Sequence, residues 1–193
     1  MKKIPTLYVR DAANPKRVTA EITPGCEWVL GGEGRATKKW DGTACAVIGG
    51  ILYKRYDGHR GDNPAPPGFV NAEPGSTHKV GWLPVGDGPE DQWHRDAWTR
   101  GGYGDGTWEL CGPKVQGNPH GFEHHVLIPH GVAEAPLTLA LTEDRRGEAY
   151  AFIEMFLRGY EVAEGVVWHH PDGRMAKIKR RDFGLPWPVK VRR

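Results

Sequence analysis

Lys38-Lys39-Trp40-Asp41-Gly42-Thr43 is the stretch from which the chain reads outward. A lysine, one free position, an acid and a glycine follow the run Gly31-Gly32-Glu33-Gly34. Alone, such a pattern recurs by chance. The upstream glycines do not form a phosphate loop. No glycine precedes Lys38 or Lys39 as G-x-x-x-x-G-K-[ST] requires, and G-x-G-x-x-G lacks its third glycine. Residues 31–39 are expected to be a flexible turn before a strand.

After Gly42 the pattern turns to strands. Thr43 to Ile48 and Ile51 to Tyr56 are apolar runs joined by Gly49-Gly50, a strong hairpin signal. Ideal pairing sets Cys45 opposite Lys54 and Ala44 opposite Arg55, which returns Arg55 toward the Lys39 loop. Upstream, strands are expected near Leu7-Tyr8-Val9 and Val18 to Ile22. Residues 57–106 are loop-rich, with strand-like pieces near Val80 to Val85 and a short helix over Glu90 to Thr99. Thr107 to Cys111 reads as a strand, as does 124–130, with His124 and His125 at one end and His130 at the other. Ala149, Phe152, Ile153, Phe156 and Leu157 repeat at helical spacing, with Gly159 the expected C-cap. Val162 to His169 and Arg174 to Arg180 form a hairpin around Pro171-Asp172-Gly173. In that hairpin Lys177 and Lys179, two apart, point the same way.

Composition narrows the function classes. The chain has 193 residues, 38% hydrophobic, with Gly 27 and Pro 16. That suits a single strand-and-loop domain over 1–193. The net charge of +2 excludes a strongly basic protein. Nucleic-acid contact must come from a local patch, for which Lys177, Lys179, Arg180, Arg181, Lys190, Arg192 and Arg193 are candidates. Cys26, Cys45 and Cys111 have neither zinc nor disulfide spacing. No apolar run reaches the length of a membrane span, and Met1-Lys2-Lys3-Ile4-Pro5 lacks an apolar signal core. A soluble, cytoplasmic monomer is the expectation.

Five blocks in order carry a resemblance: Lys39-Trp40-Asp41-Gly42, Tyr53-Lys54-Arg55-Tyr56, Trp108-Glu109-Leu110-Cys111-Gly112-Pro113-Lys114, Glu164-Gly165-Val166-Val167-Trp168 and Lys177-Ile178-Lys179. Together they resemble the covalent nucleotidyltransferases, namely RNA ligases, DNA ligases and mRNA capping enzymes. The likeness is greatest to ATP-dependent RNA ligases, and Gly112 to Pro119 also looks like a stretch of some RNA ligases. The resemblance implies an α+β, ATP-grasp-like nucleotidyltransferase fold, with antiparallel sheets around an ATP cleft. It also implies a lysine amine that attacks the α-phosphate of ATP and carries AMP. A free lysine is protonated at neutral pH, so the attack is helped by neighbouring positive charge or desolvation.

On that resemblance Lys39 is the nucleophile, with Lys38, facing the other way on an extended chain, its competitor. Glu109 is expected on the ribose of AMP and Glu164 at the metal, Mg2+ or Mn2+, through oxygen. Lys177 and Lys179 are expected on the α-phosphate, with Lys177 the closer. Arg55 is expected on a phosphate, for which its fork suits better than Lys54. Asp41, Lys54 and Phe122 are weaker candidates, Phe122 as the aromatic nearest the place where the family stacks adenine. One of His124, His125 and His130 is expected near adenine or metal. The implied partners are RNA ends bearing 5′-phosphate and 3′-OH. Rival readings are a GTP-using capping enzyme, a DNA ligase, and a non-catalytic nucleic-acid-binding domain. With 14 residues after Lys179, no C-terminal accessory domain is expected.

Overall fold

The computed structural model describes residues 3–58, 65–72 and 79–189. In chain order the strands are β1 (Tyr8–Arg10), β2 (Val18–Ile22), β3 (Arg35–Lys39), β4 (Thr43–Ile48), β5 (Ile51–Asp57), β6 (Val70–Asn71) and β7 (Val80–Pro84). Helix α1 (Gln92–Trp98), β8 (Gly106–Cys111), β9 (Val126–Pro129), α2 (Ala149–Gly159), β10 (Gly165–His169) and β11 (Met175–Lys179) follow. Every ladder is antiparallel, with a single isolated parallel bridge from Thr6 to Lys177 among the described residues. The class is α+β with few helices, as expected. No helix among the described residues is long and apolar enough to cross a membrane.

The chain divides into two compact units. One comprises Asp41–His130 with Met1–Lys3, and the other Ile4–Trp40 with Gly131–Arg193. The first holds a six-stranded sheet in the order β6-β7-β5-β4-β8-β9. Its β4–β5 hairpin turns on Gly49 and Gly50, both at positive φ (58° and 74°), so a two-residue turn closes without strain. Cys45 lies opposite Lys54, as the hairpin register predicts. On its other edge β4 pairs with β8, where Ala44 lies opposite Glu109. The small core of this unit includes Cys45, Val47, Leu52, Ala97, Leu110 and Leu127.

The second unit holds a two-stranded sheet, β1-β2, and a three-stranded sheet in the order β11-β10-β3. Strand β10 is central and buried at Gly165, Val166, Val167 and Trp168. Val166, Trp168, Ala36, Ala176 and Ile178 pack in one core with Ala149, Ile153 and Leu157 of α2. Spaced by four, those three α2 residues make one buried stripe.

Four expectations need correction. Residues 35–39 are not turn but strand β3, because β10 pairs with all five of them, from Gly165↔Lys39 to His169↔Arg35. Phe152 was expected on the buried stripe yet is 42% exposed, lying a residue off the i, i+4 row. Gly159 is the last helical residue, and Tyr160 caps α2 through its N–H. Arg180 belongs to no surface patch: it is 2% exposed, and its guanidinium donates to the carbonyls of Leu157, Tyr160 and Pro186. Lys190, Arg192 and Arg193 lie outside the described residues.

Gly165 faces both Lys39 and Lys179 across the sheet. A Cβ there would stand 2.0 Å from the Ile178 carbonyl oxygen and 2.8 Å from the Lys179 Cα. Both are backbone contacts that cannot swing aside. Gly165→Ala is expected to destabilise the protein by about 1–3 kcal/mol, the range for overpacking a close contact. Denaturant unfolding measures this.

Candidate active site

The pairing of β3, β10 and β11 places residues by parity. Residues opposite each other share a face, so Lys39, Thr37, Gly165, Val167, Lys177 and Lys179 lie on one side of the sheet. Lys38 points to the other side, as predicted, and its ammonium lies 3.7 Å from the Trp40 ring centre. Three lysines thus gather on one face, with Gly165 leaving no side chain between Lys39 and Lys179.

Their counter-ion is Glu164, one residue before β10. Its Oε2 accepts from Lys39 Nζ at 2.5 Å and its Oε1 from Lys179 Nζ at 2.8 Å. The carboxylate side chain is 5% exposed, whereas the two lysines keep 21% and 30% exposure. The Glu164 backbone is also held, its N–H donating to Lys39 O and its carbonyl accepting from Arg180. Burial alone would raise the Glu164 pKa, but the charges and hydrogen bonds of Lys39 and Lys179 outweigh it and hold the carboxylate below its ordinary value. Lys177 shows the reverse balance. Its pKa is lowered to about 8, first by burial and then by the charges of Lys179 and Lys39.

The other unit holds a separate cluster. Glu109, on β8 and largely buried, accepts the Gly42 N–H on Oε1 at 2.9 Å, while Oε2 meets His130 Nε2 at 2.8 Å. The Asp41 N–H donates to His120 Nε2 at 2.9 Å. Gly42 is needed for close approach, since a Cβ would stand 2.2 Å from the Leu110 carbonyl oxygen. The K-x-D-G stretch is therefore tied at its acid–glycine end to Glu109 and a histidine.

The remaining candidates are placed as follows. Arg55 lies in the Glu109 unit, with Nε 3.0 Å from Asp57 Oδ1 and its guanidinium 5.5 Å from the Trp82 ring centre. Lys54 donates to both oxygens of the buried Asp91, at 2.6 and 2.7 Å, a bond within the fold. Phe122 sits in a loop closed by two hydrogen bonds to the Asn118 side chain. His125 stacks on Trp93 and bonds Asp96, so its ring is used in packing.

Of the three histidines considered, His130 touches a site candidate, and its buried Nδ1 has no partner among the described residues. His120 was missed. Nothing in its spacing marks it, because its contact with Asp41 depends on a loop without a periodic pattern.

Among the described residues no group of three or more His, Cys, Asp or Glu side chains could hold a metal ion. Glu164 stands as one hard oxygen donor between lysines. That does not fit a dedicated protein cage. It does fit magnesium, which keeps waters and takes one or two carboxylates together with substrate phosphate oxygens.

Residues 102–192 match the family model described as RNA ligase 1. RNA ligase 1 of Danio rerio is 40% identical over 89 residues, covering 43% of this chain and 26% of that protein. RNA ligase 1 of Pongo abelii is 35% identical over 88 residues, with the same coverage. The match thus spans about a quarter of the length of these relatives. The family-model segment takes in Glu109, His120, His130, Glu164, Lys177 and Lys179, and begins after Lys39.

The lowered Lys177 pKa has a measurable sign. In the unfolded chain Lys177 returns to about 10.5. Between about pH 8 and 10.5 the unfolded state binds more protons, so this group makes stability rise with pH. Urea midpoints taken across that window are expected to climb more in the parent protein than in Lys177→Met. An equal pH slope in the two contradicts the lowered value.

Proposed function

We propose that this chain, related to the RNA ligases through residues 102–192, joins RNA ends at the expense of ATP through AMP carried on Lys39. The observation that carries the reading is the shared counter-ion: one buried carboxylate, Glu164, between Lys39 and Lys179, with Lys177 on the same sheet face. A structural ion pair needs one lysine. Three lysines converging beside one acid suit a site for something more negative than a single carboxylate, such as a triphosphate.

The chemistry follows from these groups. Lys39 must release Glu164 and lose a proton before its amine can attack the α-phosphate, forming the N–P bond as the bond from the α-phosphorus to the bridging oxygen breaks and pyrophosphate leaves. Lys177 and Lys179 favour that loss by charge, and they offset the charge that develops on the phosphoryl oxygens. Phosphate oxygens also give Lys179 an alternative to Glu164. As Lys39 passes from ammonium to phosphoramide it leaves the Glu164 carboxylate without that cation. Glu164 is then the residue to hold a magnesium or manganese ion. When bound, that ion supplies Lewis-acid neutralisation of phosphate charge. AMP then passes to a 5′-phosphate, and a 3′-OH displaces it to seal the strand.

Two sequence features favour RNA over duplex DNA as acceptor: the likeness of Gly112 to Pro119 to RNA ligases, and a net charge too small for a long phosphate track. An RNA 3′ end also offers a 2′-OH by which it is told from DNA. The experiment gives the protein ATP, magnesium and matched 5′-phosphorylated RNA and DNA, single-stranded and nicked. RNA is expected to be sealed in preference, and Lys39→Ala to lose sealing by at least a hundredfold, a fall of roughly 2.7 kcal/mol or more in transition-state stabilisation. Equal or better sealing of nicked DNA contradicts the RNA assignment.

A further inference from the structure

The chain before β2 and the segment after β11 line an open groove of about 810 Å³. Arg10, Lys16, Arg17, Lys179 and Arg181 face it with one acid, Asp182. Asp182 is buried and already engaged, accepting from Arg10 at 2.7 Å on Oδ1 and from the Lys179 backbone N–H at 2.8 Å on Oδ2. Five basic residues therefore line the groove with one acid, in a protein whose whole net charge is +2, and two of the five charges are already met, Arg10 by Asp182 and Lys179 by Glu164. Lys16, Arg17 and Arg181 are exposed.

The two walls are shaped by the fold. The Asn14 carbonyl accepts the Arg17 N–H at 2.8 Å, a turn that sets Lys16 and Arg17 on one side. Arg17 then lies over Gly184, where a Cβ would stand 1.0 Å from its Nη1. Gly184 is also in the left-handed region, at φ 68°, and that backbone conformation is what favours glycine there. On the other side Arg181 donates to the Trp187 carbonyl at 3.1 Å.

We propose that this groove binds the sugar–phosphate backbone of a single-stranded RNA end and leads it to Lys39. The proposal rests on the function assigned above. The connection is Lys179, which lines the groove while its Nζ holds Glu164, the same carboxylate that holds Lys39. Cations spread along two walls of an open groove suit a run of single phosphate charges. A mononucleotide site would enclose most of its ligand. Arginine forks bind phosphate oxygens in pairs, and such contacts position a strand without reading its sequence.

The test is fluorescence anisotropy of the full chain with a labelled, 5′-phosphorylated single-stranded RNA over a salt series. Lys16→Ala/Arg17→Ala is compared with Arg158→Ala, a control on α2, where Arg158 is 65% exposed and paired with Glu154. The double variant is expected to bind roughly tenfold more weakly at low salt, with the slope of log K against log salt shallower by about 1.4, two single-strand phosphate contacts. Arg158→Ala is expected to match the parent protein. Unchanged affinity and slope in the double variant overturn the groove. So does a polyglutamate peptide that binds the parent protein more tightly than the RNA and loses its affinity in the double variant. Labelled ATP given to the parent protein reports separately. Groove-dependent RNA binding without labelling strikes the Lys39 reading and leaves the groove. Labelling with groove-independent binding strikes the groove alone.

Discussion

The Glu164 carboxylate, buried and shared at 2.5 and 2.8 Å between Lys39 and Lys179, is the constraint on which the geometry of this unit's lysine cluster depends. An ionised carboxylate taken out of water is costly unless it is paired and hydrogen-bonded. Both oxygens of Glu164 have a cation, and that is why the acid stays charged in spite of its burial. The lysines in turn remain partly exposed, so they keep enough solvent contact to exchange one anion for another. Lys177 is pushed the other way, first by burial and then by the charges of Lys179 and Lys39.

The fold follows from the same requirement. Lys39 and Lys179 come from strands on either side of β10, and Gly165 between them admits β11 at a distance no side chain would allow. The opposite face of β10 sends Val166 and Trp168 into the core with α2. One strand therefore joins apolar burial on one side to a charged cluster on the other, and a slip of one residue would exchange the two faces. The register is fixed by hydrophobic burial, and the lysine cluster is held by it.

Local signals were the ones legible in the sequence. The Gly49-Gly50 turn, the Pro171-Asp172-Gly173 turn and the Ala149, Ile153, Leu157 repeat each involve neighbours a few residues apart, where spacing alone carries the information. The lysine pair on β11 was legible for the same reason, as i and i+2 on a strand. Pairing of β3 with β10 was not. It joins residues about 130 apart, and Arg35-Ala36-Thr37-Lys38-Lys39 has too few apolar positions to announce a strand before its partner is known. Arg180 was misread because a charge run marks solvent by composition, while here three backbone carbonyls satisfy the guanidinium inside the protein. Lys54 likewise sits beside the better candidate Arg55 in sequence, and Asp91, 37 residues on, claims it.

The central claim is that Lys39, and not the neighbouring Lys38, is the residue that takes the nucleotide. The direct measurement is mass spectrometry of the purified protein after incubation with ATP and magnesium, first intact and then as mapped peptides. The account predicts a single added AMP, carried by Lys39. An AMP located on Lys38, which sits on the opposite face against Trp40, or no added mass at all, would contradict it.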